Sequence, residues 1–392
     1  MSWAEWIDDQ CRLIDAAGQW RAPRPFDAAG PAGLLQVSGD DAMAVVSFAS
    51  NDYLGLTQHP AVIAAAHAAL DRWGAGSGAA RLVVGDRPGH HELEQELAAW
   101  RGTEAALLFP TGFAANLGVL TTFGAPGVRI ISDELNHASI VDGSRLARAD
   151  VAIFPHRDVD ALPHLLRGTT RAIVVTDSVF SMDGDIAPLE DIVGLCLEHR
   201  ALLIVDEAHA VLGPEPEVLH TDGLDCLQVG TLSKTLGSLG GFVAGSRRAV
   251  ELLVNRARPF IFTTASTPAD TAAAHAAVQI VRSGEGAALR ARLRSHVQAL
   301  APGHPSPILP VVVGDEADAV AAAGALLARG LLVPAIRPPT VPPGTSRLRI
   351  ALSAAHTDEQ IVTLRTVLDD LSLTPQPADA PVTSSTGPGP GR

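Results

Sequence analysis

From Asn51 to about Thr267, apolar runs of strand length alternate with apolar positions at helical spacing. The strand-length runs are Ala105–Phe109, Val128–Ser132, Ala172–Asp177, Leu202–Asp206, Leu227–Thr231 and Gly241–Ala244. Helical spacing marks Ala61–Arg72, His91–Trp100, Ala114–Thr121 and Leu189–His199. Several of the strand runs are almost continuously apolar, as expected of strands covered on both faces. The alternation predicts an α/β architecture, with a mostly parallel central sheet between two helical layers.

The flanks follow other patterns. Trp3–Ala17 reads as a helix, followed to about residue 45 by an irregular arm rich in Pro and Gly. Ile308–Val313, Leu331–Ile336 and Arg347–Leu352 read as strands of a second unit. Its helices are Ala317–Arg329, stopped by Gly330, and Asp358–Leu371. The expected organisation is an N-terminal helix and arm (1–47), a large domain (48–280) and a small α+β C-terminal domain (281–373). A Pro/Gly/Ser/Thr-rich tail (374–392) is expected to be disordered.

Composition narrows the class. Of 392 residues, 47% are apolar and 18% charged, which excludes a disordered chain. The net charge of −14 argues against nucleic acid or an anionic membrane as partner. Ala319–Ile336 comes nearest to a membrane span, but Arg329, Gly330 and Pro334 interrupt it, so no span is expected. The acidic N-terminus is unlike a signal peptide. The widely spaced Cys11, Cys196 and Cys226 suggest neither a disulfide framework nor a metal site. A cytoplasmic protein is expected.

One compositional fact bears on chemistry. The 29 basic residues are 28 Arg and a single Lys, Lys234. Codon bias explains it if the position is indifferent. It is also explained if the position needs an amine that can lose its proton and attack a carbonyl, which a guanidinium cannot do. Other polar groups gather at the carboxyl ends of the expected strands, where α/β sheets bind ligands. Asp206 ends one strand, with His209 just beyond it; Asp177, Ser178 and Ser181 follow another. His137 lies past Val128–Ser132, Thr231 and Ser233 precede Lys234, and Gly112-Phe113 opens a helix after Ala105–Phe109.

Taken singly, each has a structural explanation: Asp as a turn residue, Ser and Thr as helix caps, His as a surface residue. Taken together, they match the needs of pyridoxal phosphate. That cofactor takes a lysine for its Schiff base and a carboxylate for its ring nitrogen. Its phosphate takes a helix N-terminus. Lys234, Asp206, the Gly112 and Phe113 amides, His137 and His209 can supply these, a flat group over the ring and a donor to the phenolic oxygen. Other templates fail. Gly74-Ala-Gly-Ser-Gly78 follows a helix rather than a strand, and no GxxxxGK(S/T), GxSxG or HExxH is present.

These residues sit in stretches that resemble the α-oxoamine synthases, pyridoxal-phosphate transferases of the aspartate-aminotransferase fold (fold type I). The stretches are Ser50–Leu56, Gly74–Gly85, Phe109–Asn116, Asn136–Ser139, Thr176–Asp185, Val205–His209 and Thr231–Thr235. Ala335–Arg349, with its Arg-Pro-Pro-Thr-Val-Pro core, is most like the biotin-pathway branch. The resemblance implies that Lys234 carries the cofactor, Asp206 pairs with its ring nitrogen, His209 meets the phenolic oxygen, His137 stacks on the ring and Ser181 lies beside it. The phosphate would take Gly112, Phe113, Thr231, and Thr263 or Thr264 of a second subunit. Arg349 and Asn51 would bind the amino-acid carboxylate, Arg21 would hold the acyl substrate, and Tyr53 would act by positioning. The implied reaction is a decarboxylative condensation of L-alanine with pimeloyl-CoA or a pimeloyl-carrier protein, in a homodimer. The alternatives are another amino acid or acyl thioester, or a non-catalytic cofactor-binding protein.

Overall fold

The computed structural model describes residues 1–378, apart from Asp40 and Glu215. Its centre is a seven-stranded sheet. In spatial order the strands are Ala105–Phe109, Gly241–Gly245, Cys226–Thr231, Leu202–Asp206, Ala172–Asp177, Arg129–Asp133 and Asp150–Phe154. Gly241–Gly245 runs antiparallel to both its neighbours, and the other pairings are parallel. Six strands therefore point the same way, and their carboxyl ends share one edge.

The apolar runs are strands because both of their faces are covered. All of Ala172–Asp177 is buried. Ile173 and Val175 face one helical layer, which holds Val119 and Leu120 of helix Gly112–Phe123. Val174, Leu203 and Val205 face the other, which holds Ile192 and Val193 of helix Leu189–His199. Each such side chain, fully buried, contributes roughly 1.5–3 kcal/mol. Asp150–Phe154 is the strand that the pattern does not predict. It lies at the sheet edge with only Phe154 fully buried, so its alternation lacks the two-faced apolar signature.

Two smaller sheets pack around this core. Within the supposed irregular arm, Ala32–Ser38 and Asp41–Ser47 form an antiparallel hairpin. The segment expected as one strand, Leu331–Ile336, is two. Leu331–Leu332 pairs in parallel with Val46–Ser47, and Ala335–Ile336 pairs with Arg347–Leu348 in a separate three-stranded sheet. Pro334 stands between them and has no N–H to continue a ladder. Gly330 ends the preceding helix as expected, with φ +78° and its N–H on Leu327 O at 2.8 Å. Of the expected tail, Thr374–Ala378 carry no helix or strand, although the Gln376 N–H reaches Pro310 O at 2.8 Å. The rest of the tail lies outside the described residues. Among the described residues, no helix is long and apolar enough to cross a membrane.

Candidate active site

The shared edge of carboxyl ends gathers the polar residues. Asp177 and Asp206 end adjacent strands and are register partners. Asp206 accepts the Ala208 N–H at 2.9 Å on Oδ1 and Asn116 Nδ2 at 2.6 Å on Oδ2. Asn116 lies on the helix that starts at Gly112, is buried, and also donates to Ser139 Oγ at 2.9 Å. Two donors thus hold Asp206 as an oriented carboxylate.

Lys234 sits in the turn after Cys226–Thr231, closed by the Gly237 N–H on Lys234 O at 3.0 Å. Its Nζ lies 2.8 Å from His209 Nε2. Burial pushes the lysine below its ordinary range, while Asp206 and Asp177 oppose that shift and Arg349 reinforces it. His209 is held well below the usual histidine range by burial, and by Lys234, Arg349 and His137 around it, each of which disfavours a positive charge there. Its Nδ1 meets the Tyr53 hydroxyl at 2.6 Å.

His137 caps the helix Ala138–Leu146, with Nδ1 accepting the Ser139 N–H at 3.2 Å. Its own N–H donates to Asp177 Oδ2 at 2.9 Å. Burial lowers its pKa, opposed by Asp206, and Lys234 lowers it further. Asp177 is pushed well up by burial and by the neighbouring Asp206 carboxylate. The ring of His137 meets that of Phe113 edge-on, 6.4 Å between centroids.

Phe113 and Gly112 open their helix after Thr111, whose hydroxyl takes the Ala114 N–H at 3.0 Å. The first N–H groups of a helix have no acceptor within it and favour an anion. A Cβ at Gly112 would stand 3.3 Å from Thr231 Cβ, so glycine lets this terminus approach Thr231 closely. Thr231 Oγ1 is 2.7 Å from Ser233 Oγ.

Arg349 comes from the strand Ser346–Ala351 of the three-stranded sheet. Its Nε donates to Ser181 O at 2.5 Å and its Nη2 to Asn51 Oδ1 at 3.1 Å. Two residues earlier on the same strand face, Arg347 is ion-paired with Asp183. The loop that carries Ser181 and Asp183 is thereby tied to this strand.

Lys234, Asp206, His209, His137, Arg349, Asn51, Ser181 and Tyr53 are therefore linked by hydrogen bonds or by mutual charge effects. Thr263 and Thr264 stand apart, lining a small cavity with Arg81, His90, Pro110 and Phe260. Arg21 lies on the N-terminal arm, 3.4 Å from Pro338 O. Asn116 is the residue that sequence reasoning passed over. Its signal was a lone amide within the otherwise apolar start of Gly112–Phe123.

Residues 44–368 match the family model of aminotransferase class I and II. The chain belongs to that family. It is 50% identical over 388 residues to the 8-amino-7-oxononanoate synthase of Anaeromyxobacter dehalogenans (strain 2CP-1 / ATCC BAA-258), covering 94% of this chain and 96% of the relative. The enzyme of the same name from Cellvibrio japonicus (strain Ueda107) is 48% identical over 354 residues, covering 84% and 87% of the two chains. A solved serine palmitoyltransferase from S. paucimobilis, with a bound PLP–myriocin aldimine, superposes with a TM-score of 0.84 at 32% identity, over 93% of this chain and 96% of that one. The 8-amino-7-oxononanoate synthase structure from Francisella tularensis superposes at 0.70 with 25% identity, over 84% and 98%. The fold is thus fold type I, as the α-oxoamine resemblance implied.

Proposed function

We propose that this chain is a pyridoxal-phosphate acyltransferase of biotin biosynthesis. It condenses L-alanine with a pimeloyl thioester, releasing CO₂ and the thiol and forming 8-amino-7-oxononanoate. The relatives at 48–50% identity support the reaction. The observation that carries it is Lys234, the sole lysine, half-buried with its Nζ 2.8 Å from His209 and within the influence of Asp206 and Asp177.

The residues present fit the cofactor. A half-buried amine of lowered basicity, a carboxylate held by two donors and a helix N-terminus close to a threonine form its complementary donor set. When bound, pyridoxal phosphate supplies the electron sink that makes loss of a Cα substituent accessible. Asp206 would pair with its ring nitrogen, and His137 would lie against the ring. His209 donates to its phenolic oxygen, with Ser181 alongside. Gly112 and Phe113 amides and the Thr231 hydroxyl take the phosphate, joined by Thr263 or Thr264 of a second copy in a homodimer.

Arg349 and Asn51 bind the alanine carboxylate. A guanidinium fork matches two carboxylate oxygens at once, and so fixes the orientation of the Cα bonds. Lys234 Nζ, kept neutral more readily by burial, takes the Cα proton. Arg21 holds the acyl chain, carried by CoA or a carrier protein. The work takes place in the cytoplasm.

The test is an assay of the cofactor-loaded protein with pimeloyl-CoA and L-alanine, following thiol release and product mass. Thiol release with the mass of 8-amino-7-oxononanoate is the expected result. Release that needs L-serine or another acyl chain instead would overturn the substrate assignment.

A further inference from the structure

We infer that Tyr53 decides which ring nitrogen of His209 carries hydrogen, and so makes His209 a donor toward the phenolic oxygen of the cofactor. The inference rests on the proposed binding of pyridoxal phosphate at Lys234. Tyr53 is fully buried, and its one hydroxyl hydrogen faces two acceptors. Asn51 Oδ1 lies at 3.0 Å and His209 Nδ1 at 2.6 Å. Asn51 Oδ1 already accepts from Arg349 Nη2 at 3.1 Å, and His209 Nε2 lies 2.8 Å from Lys234 Nζ. The result is a continuous chain: Lys234, His209, Tyr53, Asn51, Arg349.

The chain can run in two directions. A free ammonium at Lys234 has hydrogens to give but no lone pair. It donates to Nε2; Nδ1–H then donates to the Tyr53 oxygen, and Tyr53 to Asn51. A phenolate facing Nε2 has no hydrogen to give, so Nε2 must carry one. A neutral imidazole then has a bare Nδ1, and Tyr53 is the donor within reach. Neutrality is the state the surroundings favour. Lys234, Arg349 and His137 all act against a charged His209, besides its burial, while Asp206 and Asp177 exert their charge on Lys234. In this second direction Asn51 Oδ1 is left to Arg349 alone. Tyr53 is thus a positioning residue that works through His209.

Tyr53 is the only tyrosine in the chain, so uniform incorporation of 3-fluorotyrosine changes this hydroxyl alone. The fluorinated phenol is the stronger donor, and Tyr53→Phe removes the donor while keeping the ring. The quantity to read is the pH midpoint at which the visible band of the lysine-bound cofactor loses its proton. A phenolate deprived of its donor holds the neighbouring proton more tightly. Tyr53→Phe is therefore expected to raise the midpoint by about one unit, the effect of one lost hydrogen bond to a charged group. Fluorotyrosine is expected to lower it. In a His209→Gln background the amide carries its own N–H, so adding Tyr53→Phe should leave the midpoint where His209→Gln sets it. An unmoved midpoint with fluorotyrosine, shifts of the same sign, or an equal Tyr53→Phe shift in the His209→Gln background would each overturn the inference. A wild-type protein with no visible band would instead sink the assignment of Lys234, and this inference with it.

Discussion

Asn116 donates to Asp206 across 90 positions of sequence, with Nδ2 at 2.6 Å from Oδ2. The amide is buried and is shared with Ser139, so it has little freedom to leave. It holds the carboxylate proposed for the cofactor's ring nitrogen.

Replacing Asn116 should therefore loosen the cofactor. A hydrogen bond to a charged group is worth roughly 1.5–3 kcal/mol, so Asn116→Ala should raise the cofactor Kd by about 10- to 100-fold. Titration of apoprotein with pyridoxal phosphate, read by absorbance, measures this. An unchanged Kd would show that Asp206 needs no such holder.

Lys234→Ala should abolish the reducible linkage. Borohydride treatment of the loaded wild-type protein should fix one cofactor per chain at Lys234, found by peptide mass, because no second lysine competes. The alanine variant should fix none. It should also lose at least about 10²–10⁴ in turnover, the usual contribution of a positioned base.

Arg349→Ala should weaken alanine much more than cofactor. Loss of one or two charge-assisted bonds predicts a rise of about 10-fold or more in the alanine KM, with the cofactor spectrum retained. Arg349→Lys should not restore it, because a point charge cannot reproduce the fork. A KM within twofold of wild type in Arg349→Ala would remove Arg349 from the carboxylate site.

A charge cluster beside the site predicts a pH-dependent stability. His156 lies between Asp133 Oδ1 at 2.9 Å and Asp185 Oδ2 at 2.8 Å. Burial alone would lower its pKa, but these carboxylates win and raise it to about 9. A raised histidine stabilises the fold fully below its unfolded value of about 6.5, and that gain fades as pH rises through 9. His156→Gln should therefore cost up to about 3 kcal/mol below pH 6.5 and little above pH 9. Denaturant unfolding of both proteins at pH 6 and pH 9.5 checks it; an equal difference at the two pH values would contradict the charge assignment.

What the sequence by itself determined was local. Continuous apolar runs marked six strands of the central sheet within a residue or two of where they lie, because strands covered on both faces leave no polar positions. Lysine rarity and strand-end position likewise pointed to Lys234 and Asp206. What only the tertiary structure decided were partnerships between distant segments. The edge strand Asp150–Phe154 and the hairpin strand Asp41–Ser47 carry weaker apolar patterns, since part of each is exposed. Leu331–Ile336 reads as one strand until its two halves find separate sheets on either side of Pro334. Arg349 meets Asn51 over 298 positions, and Tyr53 meets His209 over 156. Periodicity records which face of an element is covered. It does not record which atom lies opposite, because a hydrogen-bond partner is set by how separate elements pack rather than by the spacing within either one.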